Sequence, residues 1–206
     1  MFEVILDTWS RGGIVLVPIF LAGFWGFFLV FRTYVRVGRN VSRTDLIPAF
    51  EDLGRKLEAG DETGARRIAA TFPGVVGEGV QIYLAHRALP EASLRRLLEE
   101  KLAYRLFMME KHIPLIKSLA AAAPLLGLLG TVSGLIHTFR AMTDYGSGNA
   151  QLLSRGISEA LIAAQTGLLV AIILILFGQR LEGRITWLKD QTEYGVSLLL
   201  NLKTRR

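Results

Sequence analysis

Hydrophobic positions along this chain gather into three long blocks instead of alternating with polar ones. Ile14 to Phe31, Ser118 to Phe139 and Gly156 to Gln179 contain a single charged residue between them, Glu159, with histidine counted as neutral. A helix needs roughly 20 apolar residues to cross a hydrocarbon core of ~30 Å, and each block has about that length. The pattern therefore predicts three transmembrane helices.

Between the first two blocks the spacing changes but remains helical. "TDLIPAFEDLGRKLEAGDETGARRIAATF" repeats apolar positions at helical intervals and breaks at Gly60 and Asp61, which predicts a turn between two helices. "FPGVVGEGVQIYLAHRALPEAS" is punctuated by Pro and Gly, and "LRRLLEEKLAYRLFMMEKH" sets Leu94, Leu97, Leu98 and Leu102 among mixed charges on a solvated helix. No strand alternation or hairpin dipeptide occurs. Phe2, Ile5, Leu6 and Trp9 recur as on a short helix lying in a membrane interface. The expected fold is an all-α membrane protein with long helical extensions: an interfacial helix over 1–12, spans over 13–31, 113–142 and 154–179, a helical domain over 32–112, a short loop over 143–153 and a final helix over 180–206.

Composition agrees with this partition. Of 206 residues, 51% are hydrophobic and 20% charged, and the mean hydropathy is +0.38. The net charge of +6 would suit a nucleic-acid binder, but its placement does not. Arg32, Arg36, Arg39 and Arg43 follow the first block, Arg180 and Arg184 follow the third, and Lys203, Arg205 and Arg206 close the tail. Positive residues collect on the cytoplasmic side of spans, which puts 32–112 and the tail inside and the first residues and the 143–153 loop outside. The expected neighbour is the lipid membrane, not nucleic acid. The first residues carry Glu3 and Asp7 rather than a basic start, so the first block is expected to remain as a span and not to be cleaved as a signal.

Chemistry is sparse. The absence of cysteine removes disulfides and thiol nucleophiles. His86 and His112 stand alone and are read as satisfied surface or helix-end histidines. No metal-ligand spacing, phosphate-binding loop or nucleophile elbow is present, so neither a cofactor nor an enzyme is expected. An intramembrane enzyme would have to rest on Ser133 and His137, four apart on one helix.

The second and third blocks are more informative. Gly127, Gly130 and Gly134 share one helical face, on which another backbone can approach closely. Pro124 lies inside the second block and Pro114 at its entrance, where each can kink a helix. Thr131 and Thr138 form an adjacent strip, or bond back to their own helix. Glu159 costs at least ~2.5 kcal/mol within a span. It is expected to face water, a partner or a polar cavity, the alternative being that it snorkels to the outer interface. Ala163, Thr166 and Val170 share its face on an ideal helix, and Gln165 points elsewhere. Two such helices cannot enclose a cavity in one copy, whereas a ring of copies can. The second span is therefore expected to pack against its symmetry mates and the third span, with Thr131, Thr138, Glu159 and Thr166 lining a central pore and Gly127, Gly130, Gly134 and Pro124 serving helix packing.

"IPLIKSLAAAAPLLGLLGTVSGLIHTF" followed by "GISEALIAAQTGLLVAI" resembles the paired signature spans of the MotA/TolQ/ExbB proton-channel family, most closely its ExbB and TolQ branch. The resemblance implies a bacterial inner-membrane protein with a periplasmic amino terminus. Five copies would form a ring around the single spans of two ExbD-like or TolR-like subunits, each with a protonatable aspartate. Proton flow would drive relative rotation, and the work would reach a TonB-like or TolA-like effector. Thr131 matches the family's pore threonine and Glu159 its span-three glutamate. Ala164 stands where the family has a second threonine, so Thr166 is the substitute hydroxyl, and Ile173 replaces a proline common after "VAI". A non-conducting membrane scaffold that oligomerises through the same small-residue faces is the alternative from a different class.

Overall fold

A computed structural model describes residues 13–38, 46–145 and 150–204. The expected interfacial helix, Arg39 and Arg43, and the last two residues lie outside them. The chain forms α1 (Leu16–Gly38), α2 (Ile47–Glu58), α3 (Glu62–Ala69), α4 (Gly74–Ala85), α5 (Glu91–Glu110), α6 (Ile113–Tyr145) and α7 (Ala150–Thr204), with no strand among the described residues. Three stretches are long and apolar enough to cross a membrane: Leu16–Gly38, one within Glu91–Asp144 and one within Leu153–Asn201. This is an all-α, multi-pass membrane protein.

Helix ends follow local chemistry. Pro114 is the second residue of α6, where a missing N–H costs nothing, and α6 continues through Pro124 without ending. Helix also occupies most of the stretch expected to loop over 143–153, because α6 runs to Tyr145 and α7 starts at Ala150. α4 is helical despite Gly74, Gly77 and Gly79 in its first half, since burial of Val75, Val76, Val80 and Tyr83 overrides the weak helix propensity of glycine.

The chain divides into two compact units, residues 1–31 with 113–179 and residues 32–112 with 180–206. In the first, parts of α1, α6 and α7 meet around Leu16, Ile19 and Ala163, with Val15, Phe20, Leu126, Ile162 and Val170 packed on them. Its outward faces stay apolar: Phe24 and Trp25 on α1, Leu125 and Leu128 on α6, and Leu161 and Leu168 on α7 are all exposed.

The second unit is a helical domain with an aqueous character. Leu94, Leu98, Leu102 and Leu106 of α5 repeat every fourth residue and are buried as one stripe. Phe50 of α2 meets Phe72 with ring centroids 4.5 Å apart, and the far edge of the Phe50 ring rests on Gly195 of α7. Gly60 takes φ +74° in the turn between α2 and α3. The next residue, Asp61, caps α3 by accepting the Gly64 N–H at 2.8 Å and receives Lys56 Nζ at 2.9 Å. Arg36 Nη1 donates to Met108 O at 2.9 Å and so satisfies a carbonyl in the last turn of α5. His86 ends α4 with Nδ1 at 3.1 Å from Ile82 O. His112 departs from the expected satisfied histidine: in the two-residue break between α5 and α6 its Nε2 is enclosed with no hydrogen-bond partner among the described residues.

Two outcomes follow from these contacts. Gly195→Ala would drive a methyl group into Phe50, whose 1% exposure and stacking on Phe72 leave it no free rotation; a loss of about 1–3 kcal/mol is expected in a thermal melt of the detergent-solubilised protein. Asp61 has its carboxyl held below the usual carboxylate range by the Lys56 hydrogen bond first and the Gly64 N–H second. Its stabilising effect is therefore present above the unfolded value of about 3.9 and is lost as pH falls through the lower folded value. Asp61→Ala should flatten that acid limb of the melting curve, and an unchanged limb would show that the cap does not titrate in this window.

Candidate functional site

The first unit is organised by missing side chains. α6 and α7 run antiparallel with small residues facing each other along their length. A Cβ on Gly134 would come 2.8 Å from Ala160 Cβ and 2.9 Å from Gly156 O. On Gly127 it would meet Ala163 O at 3.1 Å and Ala164 Cα at 3.2 Å, and on Gly167 it would meet Ala123 O at 2.6 Å. Gly130 faces the Ala163 methyl group directly. Backbones this close gain dispersion contacts, which matter in lipid because hydrophobicity gives no drive between helices.

Helix α1 joins on another face of α7 and runs in the same direction. Gly23 lies against Val170, 3.2 Å from Cγ2 to a Cβ placed on the glycine, and Gly26 lies against Leu174 at 2.6 Å from Cδ1. At the start of α1, the bare Cα of Gly13 carries the Glu159 side chain, with Cγ 3.0 Å and the carboxylate closer still to where a Cβ would stand. Glu159 is half-buried.

Within one copy of the chain this geometry gives the expected residues the following neighbours. The glycine face of α6 packs on α7. The face of α7 that carries Glu159, Ala163 and Val170 does not open into a lumen within the chain. Ala163 is fully buried against Leu16 and Ile19, and Val170 is partly buried against Gly23, because α1 docks there. Thr138 is 5% exposed and donates to Gly134 O at 2.9 Å beneath Gly156, within the α6–α7 contact. Ala164 is drawn into the same contact by its approach to Gly127. Pro124 is half-buried within an unbroken helix.

Thr131 and Thr166 are the candidates that retain access. Both are half-buried, and both bond back to their own helices, Thr131 Oγ1 to Leu128 O at 2.7 Å and Thr166 Oγ1 to Ile162 O at 2.8 Å. A hydroxyl so engaged keeps its lone pairs for an outside donor. The register that sets Gly134 on Gly156 and Ala160 and Gly130 on Ala163 brings Thr131 to within about one turn of Glu159 in depth across the helix pair. Among the described residues no set of three His, Asp or Glu groups could hold a metal ion.

Gly13, Gly23, Gly26, Gly156 and Gly167 escaped the sequence reading. Their signal was available: Gly23 and Gly26 lie three apart in an otherwise bulky span, and Gly156 and Gly167 are three helical turns apart.

Comparison with known proteins places these helices in company. The profile of the MotA/TolQ/ExbB proton channel family matches residues 71–193, more than half of the chain and both α6 and most of α7. A biopolymer transport protein named ExbB-like 1 from Synechocystis is 31% identical over 84% of this chain and 68% of its own. An ExbB homolog from Methanothermobacter thermautotrophicus is 27% identical over 96% and 72% respectively. The Tol-Pal system protein TolQ of Haemophilus influenzae is 34% identical over 42% of this chain and 37% of its own.

The contacts separate packing within a chain from packing between chains. Gly134→Leu should lower the melting temperature of the chain itself, whatever its oligomeric state, by forcing α6 off α7. Leu128→Ala, on an exposed face, should change it by no more than about 0.5 kcal/mol equivalent. A Gly134→Leu chain that melts like the parent but no longer associates would reverse the assignment.

Proposed function

Since the chain belongs to the MotA/TolQ/ExbB proton channel family, in its ExbB and TolQ branch, we propose that it is the ring-forming subunit of an inner-membrane stator. Five copies enclose the single spans of two ExbD-like or TolR-like subunits. Protons moving down the proton motive force protonate and release an aspartate on each of those spans, and the ring and its axle rotate relative to each other. A TonB-like or TolA-like effector takes up the work, for transport across an outer membrane or for envelope maintenance. The amino terminus lies outside, and the residues between α1 and α6, with those after α7, lie inside, in keeping with the arginines that follow the first and third spans.

The observation that supports this reading is that Thr131 and Glu159 stand within about one turn of each other in depth on two helices locked together by glycines. A proton path needs polar groups at a fixed depth in a rigid wall, and the α6–α7 pair supplies one hydroxyl and one carboxylate there. Glu159 serves as the carboxylate that tunes the site of the partner's aspartate, Thr131 as the hydroxyl that exchanges hydrogen bonds with it, and Thr166 as a second hydroxyl one to two turns further along α7. The ring closes through the exposed apolar faces of α1, α6 and α7, because the small-residue faces are already taken.

Glu159→Gln keeps the shape and removes the charge. The variant should assemble with its partner at unchanged native mass and lose at least about tenfold of proton flux in proteoliposomes, in line with the loss of a well-placed proton-transfer group. A Glu159→Gln complex with parental flux would favour the scaffold, in which the carboxylate serves assembly alone.

A further inference from the structure

The start of α1 does more than anchor a span. Gly13 has φ +68°, a conformation rare for residues with a side chain. Its carbonyl accepts the Leu16 N–H at 3.2 Å and so opens the helix. Its bare Cα is the surface on which the Glu159 side chain lies, leaving no room for a Cβ. Two residues on, Val15 reaches the site of Gly130, 3.5 Å from where a Cβ would stand, and Leu16 and Ile19 bury Ala163. The first turn of α1 therefore touches α6 at the glycine beside Thr131 and α7 at the carboxylate.

We propose that Gly13 is a positioning residue for Glu159: the glycine forms a seat that fixes where the carboxylate lies relative to α6, and with it the depth at which a proton meets the acid. The role assigned to the carboxylate rests on the ion-path reading given above; the seat itself does not. Glu159 has three side-chain torsions before its carboxylate, and without a seat they would spread the acid over several positions in the wall. A carboxylate misplaced by even one ångström loses much of a proton-transfer step. α1 thus contributes to the path through a residue with no functional group, next to the two helices that carry the polar ones.

The test separates the backbone demand from the seat. Asparagine tolerates positive φ better than other residues with a side chain, yet brings a Cβ. In the complex with its partner subunit, Gly13→Asn should leave the native mass unchanged, speed carbodiimide labelling of Glu159 several-fold as the acid leaves its seat, and cut proton flux at least tenfold. Adding Glu159→Asp, whose shorter side chain retracts from the new Cβ, should restore part of the flux. Unchanged labelling and flux in Gly13→Asn, or a loss that Glu159→Asp does not ease, would overturn the proposal. Where Gly13→Asn fails to assemble, the cysteine-free background allows Gly13→Cys with Glu159→Cys. Rapid disulfide formation within one chain supports the seat and its absence overturns it. Should Glu159→Gln retain full flux, the ion-path reading fails, while the labelling rate and the cross-link still report whether Gly13 holds the side chain.

Discussion

Close approach of bare backbone is the constraint on which the membrane part of this protein depends. Lipid offers the helices no reason to associate through leucine and phenylalanine, which hydrocarbon solvates as well as a neighbouring helix does. What remains is dispersion at short range, and that is available only where side chains are absent or single methyl groups. α6 and α7 satisfy it over about three turns with Gly127, Gly130, Gly134, Gly156, Ala160, Ala163 and Gly167. α1 satisfies it with two notches, Gly23 and Gly26. The polar residues are passengers on this scaffold: Thr131 and Glu159 come within about one turn of each other in depth because the glycines around them fix the register.

The second unit obeys a different solvent. Its leucine stripe on α5 and the Phe50–Phe72 pair are driven together by water, and its turns are closed by charge and caps, as at Asp61 and at Arg36 on Met108 O. Gly195 shows both rules acting in a single helix. In α7 a glycine far from the apolar block does for a phenylalanine ring what Gly134 does for a helix backbone.

Much of this was legible in the sequence, for identifiable reasons. Backbone polar groups in lipid must be satisfied within a helix, so apolar length alone announces a span, and the three blocks were plain. The glycine face of α6 was plain too, being three glycines at helical spacing. What a helical wheel cannot supply is the identity of the neighbour. Glu159, Ala163 and Val170 share a face on paper; within the chain the notched side of α1 packs along that face, and its notches were hidden among phenylalanines. The contacts of Thr138 and Ala164 within the α6–α7 pair were equally hidden, since a small or hydroxyl-bearing residue suits a buried contact as well as a wet wall. α6 and α7 also reach into the expected 143–153 loop, α6 to Tyr145 and α7 from Ala150.

Contacts of α1 with α7 join residues roughly 150 positions apart, as in Gly13 with Glu159 and Gly23 with Val170. During synthesis the first span enters the bilayer with its notches facing lipid, and the second follows with its glycine face equally bare. Neither is completed until the third arrives. The last span made is thus the one that holds the other two, and it carries the single charge that must be drawn into the bilayer. The membrane part is therefore complete only once α7 lies against the glycines of both earlier spans. A ribosome that stops short of α7 leaves behind two helices with nothing to close on, the kind of product that membrane quality control is equipped to find.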